Sequence, residues 1–226
     1  MSFKKNRYVV VKKAISKDLS NFLYNYVLVK KQVARTLIDK RYISPFEHMF
    51  GIFGDSQVPN TFGQYADIAM ETLLLKVQPV LEKHTDLKVV PTYSYFRIYK
   101  KGDLLARHKD RASCEVSCTL NLGGDPWPIY LDTSGQDSVI DEFKNLVKPG
   151  APKGIKINLK PGDMLIYRGD LCEHWRNYFN GEDHAQVFLH YNNTKRKNGL
   201  SNIYDGRIHL GLTKDPMFLQ KKEKND

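Results

Sequence analysis

Two short stretches of this chain contain residues that could bind a metal ion. His108 and Asp110 are one residue apart, and His174 lies much later, within residues 170–176. A histidine and a carboxylate one residue apart on a strand point to the same face, and a histidine from a later strand can complete the group. Two imidazoles and one carboxylate leave adjacent coordination positions open, which suits a non-haem Fe(II) centre. We therefore expect His108, Asp110 and His174 to be the metal ligands and the catalytic centre.

Two other interpretations of these residues stay open at this point. Asp110 could pair with a neighbour such as Arg107 or Arg111, while His174 serves as an ordinary core histidine. A zinc hydrolase could use the same three ligands and would need an additional carboxylate as general base. Glu173 and Glu115 are the candidates, but Glu173 is adjacent to His174 on a strand, so its side chain is expected to point away from the metal.

The first 87 residues have mainly helical patterns that could support such a site. Residues 7–13 indicate a strand, and Ser16 or Asp18 can cap a helix that continues to about Lys40. Residues 41–61 indicate an irregular connection. A second helix is predicted from about Phe62 to Lys83, with a kink at Pro79.

From Leu87 onward the periodicity changes to short β-like segments separated by turn residues. They cover residues 88–99, 113–122, 127–132, 154–159, 163–168, 171–178 and 184–192. Strands at this spacing predict a barrel or sandwich, here with a helical layer packed on it. Residues 133–150 form a long polar connection, with a short helix predicted at about 138–146, and connections of this length are often lids or substrate loops.

Composition is consistent with one globular domain, which we expect to cover residues 1–226. Of the 226 residues, 41% are hydrophobic and 27% charged. The apolar runs are too short to cross a bilayer and the amino terminus has no apolar leader, so we expect no membrane partner and a cytoplasmic location. Three cysteines, an odd number, fit small buried residues in a reducing compartment.

The formal charge of +10 favours acidic partners. Basic residues cluster near both ends, at residues 4–7, 12–13, 195–197 and 221–224. Nucleic acid is one such partner, although no nucleic-acid motif accompanies the charge, and solvated termini of a basic protein explain it equally well.

Two segments resemble a known family. Residues 95–110 are similar to the Y-x-x-G…H-x-D segment of 2-oxoglutarate/Fe(II)-dependent dioxygenases of the prolyl 4-hydroxylase type, and residues 159–167 resemble the P-x-x-G-D strand that precedes the distal histidine. The resemblance implies an α+β fold, a double-stranded β-helix (jelly-roll) barrel with an N-terminal helical layer packed on one sheet. The helical support would cover about 1–87, the catalytic barrel about 88–192 and a C-terminal extension 193–226.

The resemblance also implies cofactors and roles. His108, Asp110 and His174 would hold Fe(II), Tyr99 would donate its hydroxyl to 2-oxoglutarate, and O2 would be the co-oxidant, with ascorbate as a further reductant. The products would be succinate, CO2 and a hydroxylated substrate.

One departure from the family pattern concerns the C5-carboxylate of 2-oxoglutarate. The family usually places an arginine or lysine about ten residues after the distal histidine, where this chain has His184. His184 could hold the carboxylate if it is cationic or donates a hydrogen bond. Arg176 should share the face of His174 and is the alternative partner, unless it forms a surface ion pair with Glu173 or Glu182.

The expected substrate is a prolyl residue in a peptide or protein. A free amino acid, another small molecule or a modified nucleobase stays open, as does a catalytically silent metal-binding barrel. Arg97, on the strand face of Tyr99, could line the pocket or form a scaffold salt bridge. Thr119 and Ser117, on the strand after the ligand pair, could hydrogen-bond the cosubstrate.

Overall fold

The computed structural model describes residues 3–135, 153–197, 199–215 and 219, so the helix predicted at 138–146 lies outside the described residues. The described helices are α1 (Phe3–Asn6), α2 (Lys17–Asp39) and α3 (Ile68–Thr85), with 3-10 turns at Ala112–Cys114 and Leu200–Gly206. The strands are β1 (Tyr8–Val11), β2 (Phe62–Tyr65), β3 (Val89–Lys100), β4 (Leu105–His108), β5 (Val116–Gly124), β6 (Ile129–Asp132), β7 (Ile155–Ile157), β8 (Met164–Arg168), β9 (Glu173–Arg176) and β10 (Asp183–Asn193).

These strands form two antiparallel sheets. The major sheet has the order β1-β8-β5-β10-β3-β2, and the minor sheet has the order β4-β9-β6-β7. Strands that are distant in sequence lie side by side in both sheets, as in a jelly roll. Within the described ranges the two sheets share no strand ladder, so they face one another as an open jelly roll and do not close into a barrel.

The two faces of the major sheet differ in chemistry because side chains alternate along each strand. The apolar side chains of β3 and β10 face the helices and are buried in the main core: Phe96, Ile98, Val187 and Leu189. That core also contains Leu74 and Val77 of α3 and Leu23 and Val27 of α2. The opposite face carries the polar and aromatic side chains, and it is this face that meets the minor sheet. The predicted helical layer on one sheet is therefore confirmed.

Both long helices begin at a side-chain cap. The hydroxyl oxygen of Ser16 accepts a hydrogen bond from the backbone N–H of Leu19 at 3.2 Å, which settles the choice between Ser16 and Asp18. For α3 the cap is Asp67, whose carboxylate accepts from the N–H of Met70 at 3.1 Å.

The prediction of a helix starting at about Phe62 was wrong. Phe62–Tyr65 is a strand that pairs with residues 95–98 of β3 at the edge of the major sheet. Ala66 then adopts a left-handed backbone (φ 57°), which a right-handed helix cannot continue through, and α3 starts only after the Asp67 cap.

Each predicted β segment overlaps a strand, but β4 was not among the predicted segments. Its four residues are too few to show a clear alternation. Within the part of the chain that the structure describes, none of the helices has the length and apolar character needed to cross a bilayer.

Candidate metal centre

His108, Asp110 and His174 meet on the inner side of the minor sheet. His108 ends β4 and lies directly opposite His174 of β9 in the strand register. Oδ1 of Asp110 lies 3.7 Å from Nε2 of His108 and 3.5 Å from Nε2 of His174. One ligand atom from each residue can be chosen so that all lie within 4.8 Å of one another. The three residues predicted as ligands are thus brought together.

The position of Asp110 differs from the prediction in one respect. The strand β4 ends at His108, so Asp110 lies beyond it and not on a common strand face. Its backbone N–H donates to the carbonyl of Gly169 at 2.9 Å, and this bond holds the residue beside the segment that connects β8 to β9. The carboxylate therefore reaches the two histidines through a loop contact and not through strand alternation.

Backbone carbonyls orient both imidazoles. Nδ1 of His108 lies 2.7 Å from the carbonyl oxygen of Ala106, and Nδ1 of His174 lies 3.1 Å from that of Cys172. A neutral imidazole that donates from Nδ1 keeps its lone pair on Nε2, which is the form that binds a metal. Burial, with the nearby His174, lowers the pKa of His108 to about 4, so this ring is neutral at pH 7.

Asp110 is ionised at the centre of this group. Burial by itself raises the pKa of the carboxyl group, but His174, His190 and His108 act in the opposite direction and the net pKa is lowered. The hydroxyl of Ser117 also donates to Oδ2 at 2.8 Å, and Nδ1 of His190 lies 3.0 Å from the same hydroxyl. Ser117, considered for the cosubstrate, instead stabilises the carboxylate.

The ion pairs leave little support for the competing interpretations. Arg107 pairs with Glu173 at 2.5 Å and with Asp132 at 2.6 Å, and Arg111 pairs with Asp205 at 2.7 Å. Each arginine therefore has an acidic partner other than Asp110. Because Glu173 is engaged by Arg107 on the outer side of the minor sheet, it is not available as a general base at the triad.

Glu115, the second candidate base, is also committed elsewhere. Its carboxylate accepts from the backbone N–H of Asn193 at 3.0 Å and lies 3.6 Å from Arg168. Neither Glu115 nor Glu173 lines the cavity above the triad. A hydrolase that needs a carboxylate base beside the metal has no candidate among these two residues.

A cavity of about 580 Å³ opens above the triad. Its walls include Tyr65, Tyr93, Tyr95 and Phe188 from the major sheet, with Lys109 and Arg111 beside the ligands. The rings of Tyr65 and Tyr93 lie 5.0 Å apart, and the guanidinium of Arg111 lies 4.6 Å from the centre of the Tyr93 ring. The site thus combines a group that could hold a metal ion with an aromatic wall and basic side chains, and the cavity volume is within the range of small-molecule sites.

A segment that the sequence did not mark as functional forms one wall of this cavity. Asp55 pairs with Arg97 at 2.6 Å and accepts from the Tyr95 hydroxyl at 2.6 Å. Gln57 accepts from Arg97 at 3.2 Å, and its amide nitrogen lies 2.8 Å from Nε2 of His108. Arg97 therefore does both things that were expected as alternatives: it lines the cavity and forms a salt bridge.

The residues predicted to bind the cosubstrate surround Trp127, deeper between the sheets. The Trp127 ring lies 4.7 Å from Tyr99, 5.9 Å from His184 and 4.9 Å from the guanidinium of Arg176. Tyr99 accepts a hydrogen bond from Arg97 at 3.0 Å, which connects this group to the cavity wall. Trp127 is itself a core residue, 7% exposed.

Arg176 is a buried cation and not a surface residue. It is 1% exposed, and none of the described carboxylates lies within ion-pair distance of its guanidinium. It donates to the carbonyl of Trp127 and to the side-chain oxygen of Gln186, while its Nε has no hydrogen-bond partner in the described part of the chain. Burial lowers the pKa of Arg176 to about 10, which still leaves it charged at pH 7. Of the two alternatives for Arg176, the surface ion pair with Glu173 or Glu182 was wrong.

His184 lies opposite Tyr99 in the register of β10 and β3, but it is neutral. Burial, together with the nearby Arg176, lowers the pKa of His184 to about 3. Its Nδ1 lies 2.9 Å from the carbonyl oxygen of Asp125. In the ligand-free protein His184 is therefore neutral near pH 7, and Arg176 is the charged group of this region.

No protein-family model and no curated protein matches this chain. Solved structures of similar fold are found. A Pseudomonas putida prolyl-4-hydroxylase aligns at 13% identity and TM-score 0.50, over 84% of this chain and 94% of that one. HygX from Streptomyces hygroscopicus, with nickel, 2-oxoglutarate and hygromycin B bound, aligns at 14% identity and TM-score 0.55, over 85% of each chain. The non-haem α-ketoglutarate-dependent epimerase SnoN from nogalamycin biosynthesis aligns at 12% identity and TM-score 0.56, over 84% of this chain and 77% of that one. The chain therefore has the double-stranded β-helix fold of these oxygenases, as its motifs predicted.

Proposed function

We propose that this chain is an Fe(II)- and 2-oxoglutarate-dependent dioxygenase that hydroxylates its substrate and releases succinate and CO2. The observation that carries the proposal is the grouping of ligand atoms from His108, Asp110 and His174 within 4.8 Å, below an open cavity. This set suits Fe(II) and leaves coordination positions for other ligands. Structures of HygX with iron and with nickel and 2-oxoglutarate support the assignment by analogy of fold.

The donor set fits a divalent metal on chemical grounds. Two Nε2 atoms and one ionised carboxylate converge, and each imidazole is oriented through its Nδ1. Ser117 orients the carboxylate of Asp110 from behind. In this proposal the protein fixes ligand geometry, and the bound iron and 2-oxoglutarate supply the oxidising power.

Arg176 is the residue that we propose to bind the C5-carboxylate of 2-oxoglutarate. A buried guanidinium without a carboxylate partner is costly, and an anionic ligand would remove that cost. The unpartnered Nε of Arg176 offers a donor for such a ligand. Tyr99 packs on the same tryptophan, and its hydroxyl proton is free to point towards the ligand because Arg97 supplies the hydrogen bond that Tyr99 accepts. His184, being neutral, would contribute shape or one hydrogen bond.

We further propose a prolyl residue in a peptide or protein as the substrate. The tyrosine-rich wall of the cavity supports this choice, because prolyl rings pack well on aromatic faces. A free amino acid, another small molecule or a modified nucleobase is the alternative within the same chemistry. Ascorbate as an auxiliary reductant, a cytoplasmic location and a single domain over residues 1–226 belong to the same proposal.

The test is succinate release by the purified, Fe(II)-loaded protein with 2-oxoglutarate under air. A proline-rich peptide should stimulate release and gain one oxygen atom, and the same peptide with alanine in place of proline should do neither. Release without stimulation by any peptide would support the dioxygenase and contradict the prolyl substrate. No release despite bound iron would contradict the dioxygenase and favour a catalytically silent metal-binding barrel.

A further inference from the structure

A second cavity, of about 960 Å³, lies away from the metal triad. We call it the basic groove. It is lined by α1 and Arg7 just before β1, by the carboxyl end of α3 with the residues after it, and by the ends of β8 and β10 with the segments that follow them. Its basic residues are Lys4, Arg7, Lys83, Lys88, Arg168 and Lys195, against only two acidic residues, Glu82 and Asp86.

The acidic partners neutralise only part of this charge. Lys88 pairs with Glu82 at 2.9 Å, and Arg168 pairs with Asp170 at 3.1 Å and with Glu115 at 3.6 Å. Four other cations have no ion-pair partner among the described carboxylates: Lys4, Arg7, Lys83 and Lys195. Of these, Arg7 donates from Nη1 to the carbonyl of Thr133 at 3.0 Å. Like charges gathered around one cavity repel one another, so a bound anion would lower the electrostatic free energy of the groove.

The groove is held by main-chain hydrogen bonds between its walls. The N–H of Arg168 donates to the carbonyl of Arg7 at 2.9 Å, and the N–H of Thr194 donates to the carbonyl of Lys88 at 2.9 Å. Phe3 is buried at the base of this region. The basic side chains therefore project from a fixed frame of four chain segments, and not from one flexible run of lysines.

We propose that the basic groove binds a soluble ligand that carries two or more phosphate groups. Its volume is in the range of small-molecule sites. Lysine ammonium groups and an arginine fork are the side chains that bind phosphate oxygens. Several unpaired cations suit several negative charges, which favours a chain of phosphates over a single carboxylate.

Tripolyphosphate is the probe, and binding is measured by calorimetry on the metal-free full chain, so the result does not depend on the oxygenase proposal. Each substitution in the double variant K83E/K195E removes about one charge-assisted contact to the ligand. The variant should therefore bind tripolyphosphate at least tenfold more weakly. The matched control is K76E/K156E, which makes the same change of charge at exposed lysines outside the groove and should alter binding by less than about twofold. Melting temperatures of both variants check that the fold is kept.

Three results would overturn the proposal. The first is no measurable binding of tripolyphosphate at low salt. The second is an equal loss of binding in both double variants, since that would indicate a diffuse response to net charge. The third is tighter binding of single-stranded DNA than of tripolyphosphate with equal sensitivity to both double variants, which would indicate a general nucleic-acid face.

Discussion

The amide nitrogen of Gln57 lies 2.8 Å from Nε2 of His108, the nitrogen that would coordinate the metal. Arg97 donates to the side-chain oxygen of Gln57, so the NH2 group of the amide is the end that faces His108. A metal ion and this hydrogen bond compete for the same lone pair. Gln57 therefore shields the imidazole in the metal-free protein and would have to move for a metal to bind there.

We predict that Gln57→Ala strengthens metal binding by about two- to tenfold, because the metal no longer has to displace one hydrogen bond. Titration of Ni(II) into the metal-free protein by calorimetry measures the change. Gln32→Ala, at an exposed position of α2, is the control and should leave the affinity unchanged. Weaker binding by the Gln57 variant would mean that the amide supports the metal site.

His108→Ala should remove iron retention and succinate formation while the fold is kept. Loss of a residue that hydrogen-bonds a metal ligand lowers metal affinity by up to about 100-fold. Loss of the ligand itself should lower the affinity for iron by more than that. Iron content after desalting and the melting temperature are the two readouts. His84→Ala, at an exposed histidine of α3, should change neither. Unchanged turnover in the His108 variant would remove the metal assignment.

Arg176→Met and His184→Gln distinguish the two candidates for the C5-carboxylate. Because Arg176 is charged and His184 is neutral near pH 7, Arg176→Met should weaken 2-oxoglutarate binding at least tenfold and His184→Gln by less than about threefold. The thermal shift of the Ni(II)-loaded protein on addition of 2-oxoglutarate reports the binding directly. A larger loss in the His184 variant would reverse the assignment.

The stability of the metal-free protein should rise with pH between about 4 and 6. Burial lowers the pKa of His184 to about 3 and that of His190 to about 4, whereas an unfolded histidine titrates near 6.5. Over this interval the unfolded chain binds protons that the folded chain excludes, so acid favours unfolding. The stabilisation is complete above pH 6.5 and is lost as pH falls towards the folded values.

His184→Gln removes one of these protons and should reduce the slope of the unfolding free energy by about 1.4 kcal/mol per pH unit. Urea unfolding at several pH values measures the slope. The exposed His48→Gln is the control. An unchanged slope in the His184 variant would show that this imidazole is already protonated in the folded protein.

Much of the centre was predictable because its ligands carry rare chemistry at a distinctive spacing. His108, Asp110 and His174 were chosen by residue type, and the inward direction of Arg176 followed from the strand period of two. The neutrality of His184 was not predictable, since it depends on burial that no local pattern reveals.

Other features escaped prediction for physical reasons. Gln57 and Asp55 belong to an irregular connection, and their importance comes from contacts with Arg97, 40 and 42 residues away in sequence. The strand Phe62–Tyr65 has too few residues to separate a period of two from a helical pattern, and its pairing with β3 decided the outcome.

Main-chain carbonyls, those of Ala106, Cys172 and Gly169, anchor all three proposed ligands. A backbone carbonyl is present whatever side chain the residue carries. Substitutions at positions 106 and 172 should therefore leave the orientation of His108 and His174 unchanged. Gly169 is the exception, because an added Cβ would collide with the Asp110 carboxylate and the Ser117 hydroxyl. Unlike positions 106 and 172, Gly169, Ser117 behind Asp110 and the three proposed ligands are therefore the positions where the side chain itself matters.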